Sequence, residues 1–387
     1  MHEAHDTAQS DASLPDGPVD VVVVGAGVVG CAIADALAPD HDVVVLDKSG
    51  VAEGATGRAA GVITPTLFYG DLPEVARHAN EFFRAFDGTH GFEFTERRRY
   101  DYVVHDEVDT ARDRAADLAD HGFPVTYLDT DVVESEAPRL NLDDFAGAVR
   151  YDDAGWVDPY TLATALKRRA TDRGASFYLD QQVDAVSSNT AELADGEIRA
   201  HTVVVAAGFS TPDLLGRPLP IQPYRTQCVV LEPTEVLDDQ FPIGRVGSKH
   251  LYFRPEHNGD LLVGGSHDIV SDPAGVSTQA DESFVKEVAL TIPELVRGFG
   301  DAGLVNGWAG VDSATPDARP ILDQVDDVFV AAGFNGLGIL AAPIAAEAIR
   351  SQVTAETAAF DVSPFSFDRF SDSTSGFELR TTSDVGR

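Results

Sequence analysis

The chain has 387 residues, which is long enough for two or more domains, and an ordinary apolar content of 43%. Its charge is unusual, because 64 acidic residues against 28 basic ones give a formal net charge of −36 at pH 7. Such a balance argues against nucleic acid as a partner, since phosphate contacts require basic patches. The acids are spread along the sequence and only four bases are lysines, which is typical of proteins from salt-loving organisms. An acidic interaction module would instead concentrate its charge in one block.

The two ends of the chain and its cysteines indicate a protein of the cytoplasm. Residues 1–18 are polar and acidic and predict a disordered tail without the basic start and apolar middle of a signal peptide, and residues 371–387 predict a second tail. No run of about 18 apolar residues is present, so we expect no membrane span. Cys31 and Cys228 lie in apolar stretches and are interpreted as small core residues in a reducing compartment.

The first predicted element is a run of valines, residues 19–24, that leads into Gly25, Gly27 and Gly30. A helical segment and a second apolar strand follow, and that strand ends at Asp47. In such a unit the first glycine allows a sharp turn, the second lets the backbone approach a pyrophosphate, and the third lets helix and strand pack closely. The helix N-terminus offers free N–H groups to phosphate. Asp47 would accept the ribose hydroxyls and repel a 2′-phosphate, which disfavours NADP.

The remaining elements alternate between α/β and antiparallel patterns. A loop rich in Gly, Ala and Thr follows Asp47 and is interpreted as lining a ligand. Asp158 and Pro159 predict the start of a helix. The other predicted elements are a helix at 74–88, short strands and helices at 92–150, a hairpin turn at Asp195-Gly196, antiparallel strands over 219–305 with a helix at 281–298, and a final strand, glycine-rich turn and helix from residue 328 onward.

Several collinear segments resemble the family of FAD-dependent oxidoreductases that includes D-amino acid oxidase, glycine oxidase and monomeric sarcosine oxidase. The matching segments are GAGVVGCAIADALA, GATGRAAGV, GWVDPYTLATAL, VVVAAGFST, PYRTQ, YFRPEHNGDLLVGG, GWAGVDSATPDARPIL, AAGFNGLGILAAP and FSFDRF. The resemblance implies an α/β protein with a Rossmann-like FAD-binding domain (19–90, 151–218 and 306–370). This domain would be interleaved with an α+β substrate-binding domain (91–150 and 219–305) built on an antiparallel sheet.

The same resemblance implies a set of residues that bind FAD. They comprise the first glycine turn, the acid after the second strand, the following loop, one adenine contact and the C-terminal glycine-rich turn, which would meet the isoalloxazine ring. The residues are Gly25, Gly27, Val28, Val29, Gly30, Asp47, Lys48, Thr56, Arg58, Ala60, Gly61, Val62, Val183, Ala207, Gly208, Gly333, Asn335, Gly336, Leu337, Gly338 and Ile339.

The predicted substrate pocket departs from the family pattern. Glycine and D-amino acid oxidases carry carboxylate-binding arginines where this chain has Asp312 and Gly336, and sarcosine oxidase carries a lysine at the position of Leu340. Sarcosine oxidase also attaches FAD through a cysteine near Gly310, which is missing here, so we expect non-covalent FAD. Either other groups hold a substrate carboxylate, or the substrate presents a cation or hydroxyls to Asp312.

Four residues are the candidates for acting on the substrate: Tyr252, Asp312, Arg254 and Arg225. Period-two alternation places His250, Tyr252 and Arg254 on one face of a strand, where a hydroxyl and a guanidinium could bind a carboxylate. Arg58 is a further cation for that role. Alternative interpretations are a plain polar strand face for the first set, a structural contact at the domain junction for Arg225, and a surface acid for Asp312.

The resulting hypothesis is FAD-dependent oxidation of a C–N bond in an amino acid or secondary amine by hydride transfer. Oxygen, a quinone or an electron-transfer protein would then accept the electrons. We expect no metal site. The alternatives are oxidation of a hydroxy acid or polyol on the same fold, or a non-catalytic flavin-binding subunit of a larger complex.

Overall fold

The computed structural model describes residues 13–370 and 377–380, so most of both predicted tails lies outside the described residues. Within these ranges none of the helices combines the length and apolar character that a membrane span requires. The α-helices of the described chain are α1 (Val28–Leu37), α2 (Pro65–Tyr69), α3 (Pro73–Phe86), α4 (Val108–Asp120), α5 (Thr130–Glu136), α6 (Pro159–Asp172), α7 (Thr211–Leu215), α8 (Glu282–Leu295) and α9 (Gly338–Thr354).

The β-strands form two large sheets and one small one. In chain order they are β1 (Val19–Val24), β2 (Val43–Leu46), β3 (Val62–Ile63), β4 (Thr95–Glu96), β5 (Arg99–Val103), β6 (Val125–Asp129), β7 (Gly147–Tyr151), β8 (Gly155–Trp156), β9 (Ser176–Tyr178), β10 (Val183–Ser187), β11 (Thr190–Leu193), β12 (Gly196–Val205), β13 (Gln222–Glu232), β14 (Ile243–Val246), β15 (Leu251–Pro255), β16 (Leu261–Ile269), β17 (Gly303–Ala314), β18 (Ile321–Val325) and β19 (Val328–Ala332).

The first sheet contains the predicted strand–helix–strand unit. Its order is β10-β11-β12-β1-β2-β9, with β19 also beside β12 and β18 beside β19. Strand β1 lies in parallel between β12 and β2, and all of its residues except Asp20 are buried. A central parallel strand is covered on both faces, which explains the near-continuous run of valines. Helix α1 packs against α6 and α9.

Local signals place helix α6 and the hairpin before the central strand β12. The Asp158 carboxylate accepts the Thr161 N–H at 2.7 Å, and Pro159 is the first helical residue, as the sequence predicts. Strands β11 and β12 form the predicted antiparallel hairpin, in which Leu193 pairs with Gly196.

The second sheet has the order β17-β13-β16-β15-β14-β5-β7-β6. Its neighbouring strands are antiparallel, as predicted, except for the parallel pair β14 and β5. One face is buried in a hydrophobic core that contains Phe253 together with Phe284 and Val288 of α8. The opposite face carries Cys228, Tyr252 and Trp308 and packs near Ala60, which lies on the loop after β2. This second face therefore points towards the glycine-rich loops of the first sheet.

The domain boundary predicted at residue 306 is wrong for one strand. It falls inside β17, which pairs with β13 from Gly303 to Ala314, so residues 306–314 belong to the second sheet. A small sheet in the order β3-β8-β4 also crosses the predicted boundaries. Which partner a strand selects depends on distant residues, and its own sequence pattern carries little of that information. The rest of the domain division stays a prediction.

Candidate active site

A cavity of about 710 Å³ begins at the turn between β1 and α1 and extends to the second sheet. Its wall contains most of the residues predicted to bind the cofactor. Those residues are Gly25, Gly27, Val28, Val29, Asp47, Lys48, Thr56, Arg58, Ala60, Gly61, Val62, Val183, Ala207, Gly208, Gly336, Leu337, Gly338 and Ile339. Their direct contact with a cofactor stays a prediction, but the fold brings them to one surface.

The three glycines of the first turn have different structural tasks. Gly25 has φ of +115°, and a Cβ there would lie 2.4 Å from the carbonyl oxygen of Ala206. A Cβ on Gly30 would lie 1.8 Å from the Gly25 carbonyl oxygen, so this glycine allows α1 to contact the end of β1. Gly30 does not line the cavity, and its predicted direct contact with the pyrophosphate is wrong. It is a packing residue behind the cradle.

The N-terminus of α1 has backbone donors that face the cavity. The Val28 N–H donates to the Thr56 hydroxyl at 3.1 Å, which ties the loop after β2 to the helix. The N–H groups of Gly27 and Val29 have no acceptor within residues 13–370 and 377–380. Free first-turn donors and the helix dipole favour a phosphate at this place. The arrangement fits the pyrophosphate of a dinucleotide.

Asp47 is held in place at the end of β2 by hydrogen bonds on both carboxylate oxygens. One oxygen accepts the Ala26 N–H at 2.7 Å, and the other accepts the N–H of Ser49 at 2.8 Å and its hydroxyl at 3.1 Å. Each carboxylate oxygen can accept more than one hydrogen bond. Asp47 lines the cavity, so it can also accept ribose hydroxyls, as the sequence predicts.

The glycine-rich turn between β19 and α9 has three residues in the left-handed region: Gly333, Asn335 and Gly336. The Asn335 side chain accepts the Thr315 N–H at 2.9 Å and donates to the Arg380 carbonyl oxygen at 3.1 Å. Neither Gly333 nor Asn335 lines the cavity, so their predicted contact with the cofactor is wrong, and they shape the turn instead. The N-terminus of α9, which begins at Gly338, faces the cavity.

Asp312 lines the cavity and binds the turn before α9. Its carboxylate accepts the Gly336 N–H at 2.6 Å and the hydroxyl of Tyr224, which lies opposite on β13. Burial raises the pKa of this carboxyl above its usual range, although the hydrogen bonds from Ser313, Gly336 and Tyr224 oppose the shift. The two positions where related oxidases carry arginines are therefore bonded to each other in this chain.

Tyr252 also lines the cavity, beside Cys228 of the neighbouring sheet region. Its hydroxyl lies 4.0 Å from the Cys228 sulfur, and burial raises the pKa of Tyr252 so that the hydroxyl stays protonated at neutral pH. Burial raises the pKa of the Cys228 thiol to about 11, which makes it a poor nucleophile. His250 is not on this strand face as predicted, since it has φ of +53° just before β15 begins.

Arg254 and Arg225 are not in the substrate site, so their predicted catalytic roles are wrong. The buried Arg254 donates to the Ala60 carbonyl oxygen at 2.6 Å and lies over the Trp156 ring, where it supports the cofactor loop. Arg225 binds both carboxylate oxygens of Asp281 and the Gln279 carbonyl oxygen. It thereby fixes the segment just after Pro273–Thr278, part of which lines the cavity.

Arg58 is a cation on the cavity wall. Its guanidinium makes no hydrogen bond or ion pair with the described residues, and its side chain packs against Gly310, where a Cβ would lie 3.0 Å from the Arg58 Cβ. The Trp308 indole donates to the Arg58 carbonyl oxygen at 2.9 Å, which fixes the backbone. Sequence reasoning missed two further arginines on the wall, Arg99 and Arg245, which lie on different strands.

Taken together, the parallel sheet, the phosphate cradle and the cavity that continues to a second sheet define a dinucleotide-dependent oxidoreductase. The model of the family described as FAD dependent oxidoreductase matches residues 20–352. The chain therefore belongs to this family, and FAD is its cofactor.

Individual relatives extend over nearly the whole chain. The glycine oxidase of Geobacillus kaustophilus is 28% identical over 90% of this chain and 97% of its own length, and its crystal structure superposes with a TM-score of 0.81, covering 91% and 99% of the two chains. The sarcosine oxidase subunit beta of an Arthrobacter species is 24% identical over 92% of each chain. The fold also matches an L-proline dehydrogenase from P. horikoshii, with a TM-score of 0.84 at 22% identity over 92% of this chain and 99% of the other.

Proposed function

We propose that this protein oxidises the C–N bond of a small amine or amino acid. The observation that carries the proposal is the continuity of one cavity from the phosphate cradle to Tyr252 and Asp312. FAD, when bound, supplies a two-electron acceptor for the hydride from the carbon next to nitrogen. The similarity to proteins named glycine oxidase and sarcosine oxidase subunit beta supports nitrogen compounds as substrates.

The chain's own residues would orient the substrate and stabilise charge. The N-terminus of α9 directs backbone N–H groups and a partial positive charge to the cavity, where they favour developing negative charge. The Tyr252 hydroxyl supplies a hydrogen bond, and the Asp312 carboxylate provides an acceptor for an amine N–H. A dedicated base is not required if the amine binds in its neutral form.

Three finer properties are also proposals. The charge of −36 supports an environment of high salt, and the two buried free cysteines support a reducing compartment such as the cytoplasm. The raised pKa of Cys228 supports non-covalent FAD. Oxygen, a quinone and an electron-transfer protein are each compatible as electron acceptor, and stopped-flow reoxidation with each of them would identify the acceptor.

The test is the visible absorption spectrum of the purified protein in concentrated salt, followed without oxygen as substrates are added. Bleaching of the flavin band by amines or amino acids is the expected result. Bleaching by hydroxy acids or polyols alone would favour the alternative chemistry on the same fold. A flavin band that none of these compounds bleaches would contradict the proposal and favour a flavin-binding subunit.

A further inference from the structure

Three buried charged residues form a cluster on the cavity wall, hereafter the arginine cluster: Arg99, Asp101 and Arg245. The Arg99 Nε donates to one carboxylate oxygen of Asp101 at 2.6 Å, and the Arg245 Nη1 donates to the other at 3.0 Å. Their side chains are 3%, 9% and 11% exposed, in that order. Both arginines line the cavity, so the little surface that they expose faces it.

The strand register places the arginine cluster next to Tyr252. Asp101 of β5 pairs directly with Arg245 of β14, and Arg245 pairs directly with Tyr252 of β15. Residues in direct register on neighbouring strands have their side chains on the same face. Strand β14 lies four strand spacings from β17, which carries Asp312, so the two strand axes are roughly 19 Å apart at about 4.8 Å per spacing. The arginine cluster is therefore separate from the position where related oxidases carry an arginine.

The charge of the arginine cluster is not balanced by its own carboxylate. Asp101 is shared by two guanidinium groups, and one carboxylate compensates for one positive charge. Arg99 uses Nε for Asp101 and Nη1 for the Thr64 hydroxyl at 3.2 Å, while its Nη2 has no hydrogen-bond partner in the part of the chain that the structure describes. A buried cation with a free donor is costly unless an anion reaches it. The cavity is the side from which an anion can arrive.

We propose that Arg99, supported by Arg245, binds a carboxylate of the substrate. This inference rests on the proposed oxidation of a C–N bond and narrows its substrates to amines that carry a carboxylate. A guanidinium donor at a buried site favours a planar carboxylate and gives a charge-assisted hydrogen bond. The Tyr252 hydroxyl, on the adjacent strand, is placed to bind the same group.

The first experiment compares matched compounds on the unmodified holoenzyme: sarcosine with dimethylamine, and proline with pyrrolidine. The members of each pair differ by a carboxylate. The concentration for half-maximal anaerobic bleaching of FAD should be at least about tenfold lower for the carboxylated member, because a charge-assisted hydrogen bond supplies at least that factor. Equal half-saturation within both pairs would overturn the proposal.

The second experiment uses variants and a matched control. R99Q should raise the half-saturation concentration of the carboxylated compound about tenfold and leave the limiting rate nearly unchanged. R245Q should act in the same direction and provides a second variant if R99Q lowers stability. R98Q is the control, since Arg98 is 57% exposed and pairs with Glu136 and Asp152 on the surface. Identical half-saturation for folded R99Q, R245Q and R98Q would refute the proposal.

A third readout separates this inference from the proposed function. Acetate is titrated into the holoenzyme, and the shift of the flavin absorption band is recorded. A saturable shift that R99Q and R245Q weaken at least about tenfold, and that R98Q keeps, supports the anion subsite even if no amine bleaches FAD. Absence of any shift, together with equal behaviour of the substrate pairs, overturns the inference while the amine oxidation itself can still hold.

Discussion

The close approach of α1 to β1 can be tested by the substitution Gly30→Ala. A Cβ at this position would lie 1.8 Å from the Gly25 carbonyl oxygen and 2.9 Å from its carbon. A relaxed carbon-to-oxygen contact is about 3.3 Å, so helix and strand must separate by roughly 1.5 Å at this point. Nine residues of α1 are buried, and the helix has no free side towards which it can move.

The energetic cost follows from this geometry. Overpacking a well-packed site costs about 3 kcal/mol at the upper end of its usual range, and the better helix propensity of alanine returns about 1 kcal/mol. The net loss in the free energy of unfolding is therefore about 2 kcal/mol. The same displacement lengthens the hydrogen bonds from Gly27 and Val29 to the phosphate, and losing one charge-assisted bond weakens FAD binding by about tenfold to a hundredfold.

The assay combines denaturant unfolding of the FAD-free protein with a fluorescence titration of FAD. Gly54→Ala is the control, because Gly54 lines the same cavity and a Cβ there would meet nothing within 4 Å. Gly27→Ala should be intermediate, since its Cβ would lie 3.3 Å from the Thr56 hydroxyl oxygen. If Gly30→Ala matches Gly54→Ala in both stability and FAD affinity, the assigned role of the third glycine is wrong.

Three further predictions concern charge. Asp47→Asn should weaken FAD binding about tenfold to a hundredfold through the loss of charge-assisted hydrogen bonds to ribose, measured by fluorescence titration; unchanged affinity would remove Asp47 from the site. Burial raises the pKa of Asp312, so its carboxyl stabilises the fold at low pH and loses this contribution as pH rises through the raised pKa. The free energy of unfolding of Asp312→Asn relative to the wild type should therefore increase from about pH 5 to about pH 8, and a flat difference would contradict the shift. The net charge of −36 predicts a higher unfolding midpoint when NaCl rises from about 0.1 M to about 1 M, because the Debye length falls from about 10 Å to about 3 Å; a lower midpoint would speak against self-repulsion.

The parts of the fold that depend on neighbouring residues could be predicted from the sequence. The unit around Gly25 and Asp47 is such a case, because its glycine spacing, helix start and terminal acid lie within one short segment. The start of α6 at Asp158 and Pro159 is another, since capping is a local interaction. Both are confirmed by the strands and helices of the structure.

The substrate end of the cavity could be predicted only in part. Strand alternation places Tyr252 and Arg254 on one face, but a long guanidinium can turn to a backbone carbonyl, and Arg254 binds Ala60 in this way. Arg245 is separated from its partner Asp101 by 144 residues, so no local pattern indicates their contact. Pairing between distant strands decides these contacts, and a single sequence contains no direct record of it.

The bond between Asp312 and the Gly336 N–H has a consequence for how the substrate range of such enzymes can change in evolution. Gly336 has φ of +81°, a conformation that side chains rarely adopt, and its N–H depends on the acid at position 312. Replacing Asp312 alone leaves this N–H without its acceptor, and placing an arginine at 336 alone adds strain next to a buried acid. The two positions form an epistatic pair. A lineage that exchanges this pocket for one with arginines at both positions would pass through its least fit intermediates unless both replacements, and a shift of the turn, occurred together.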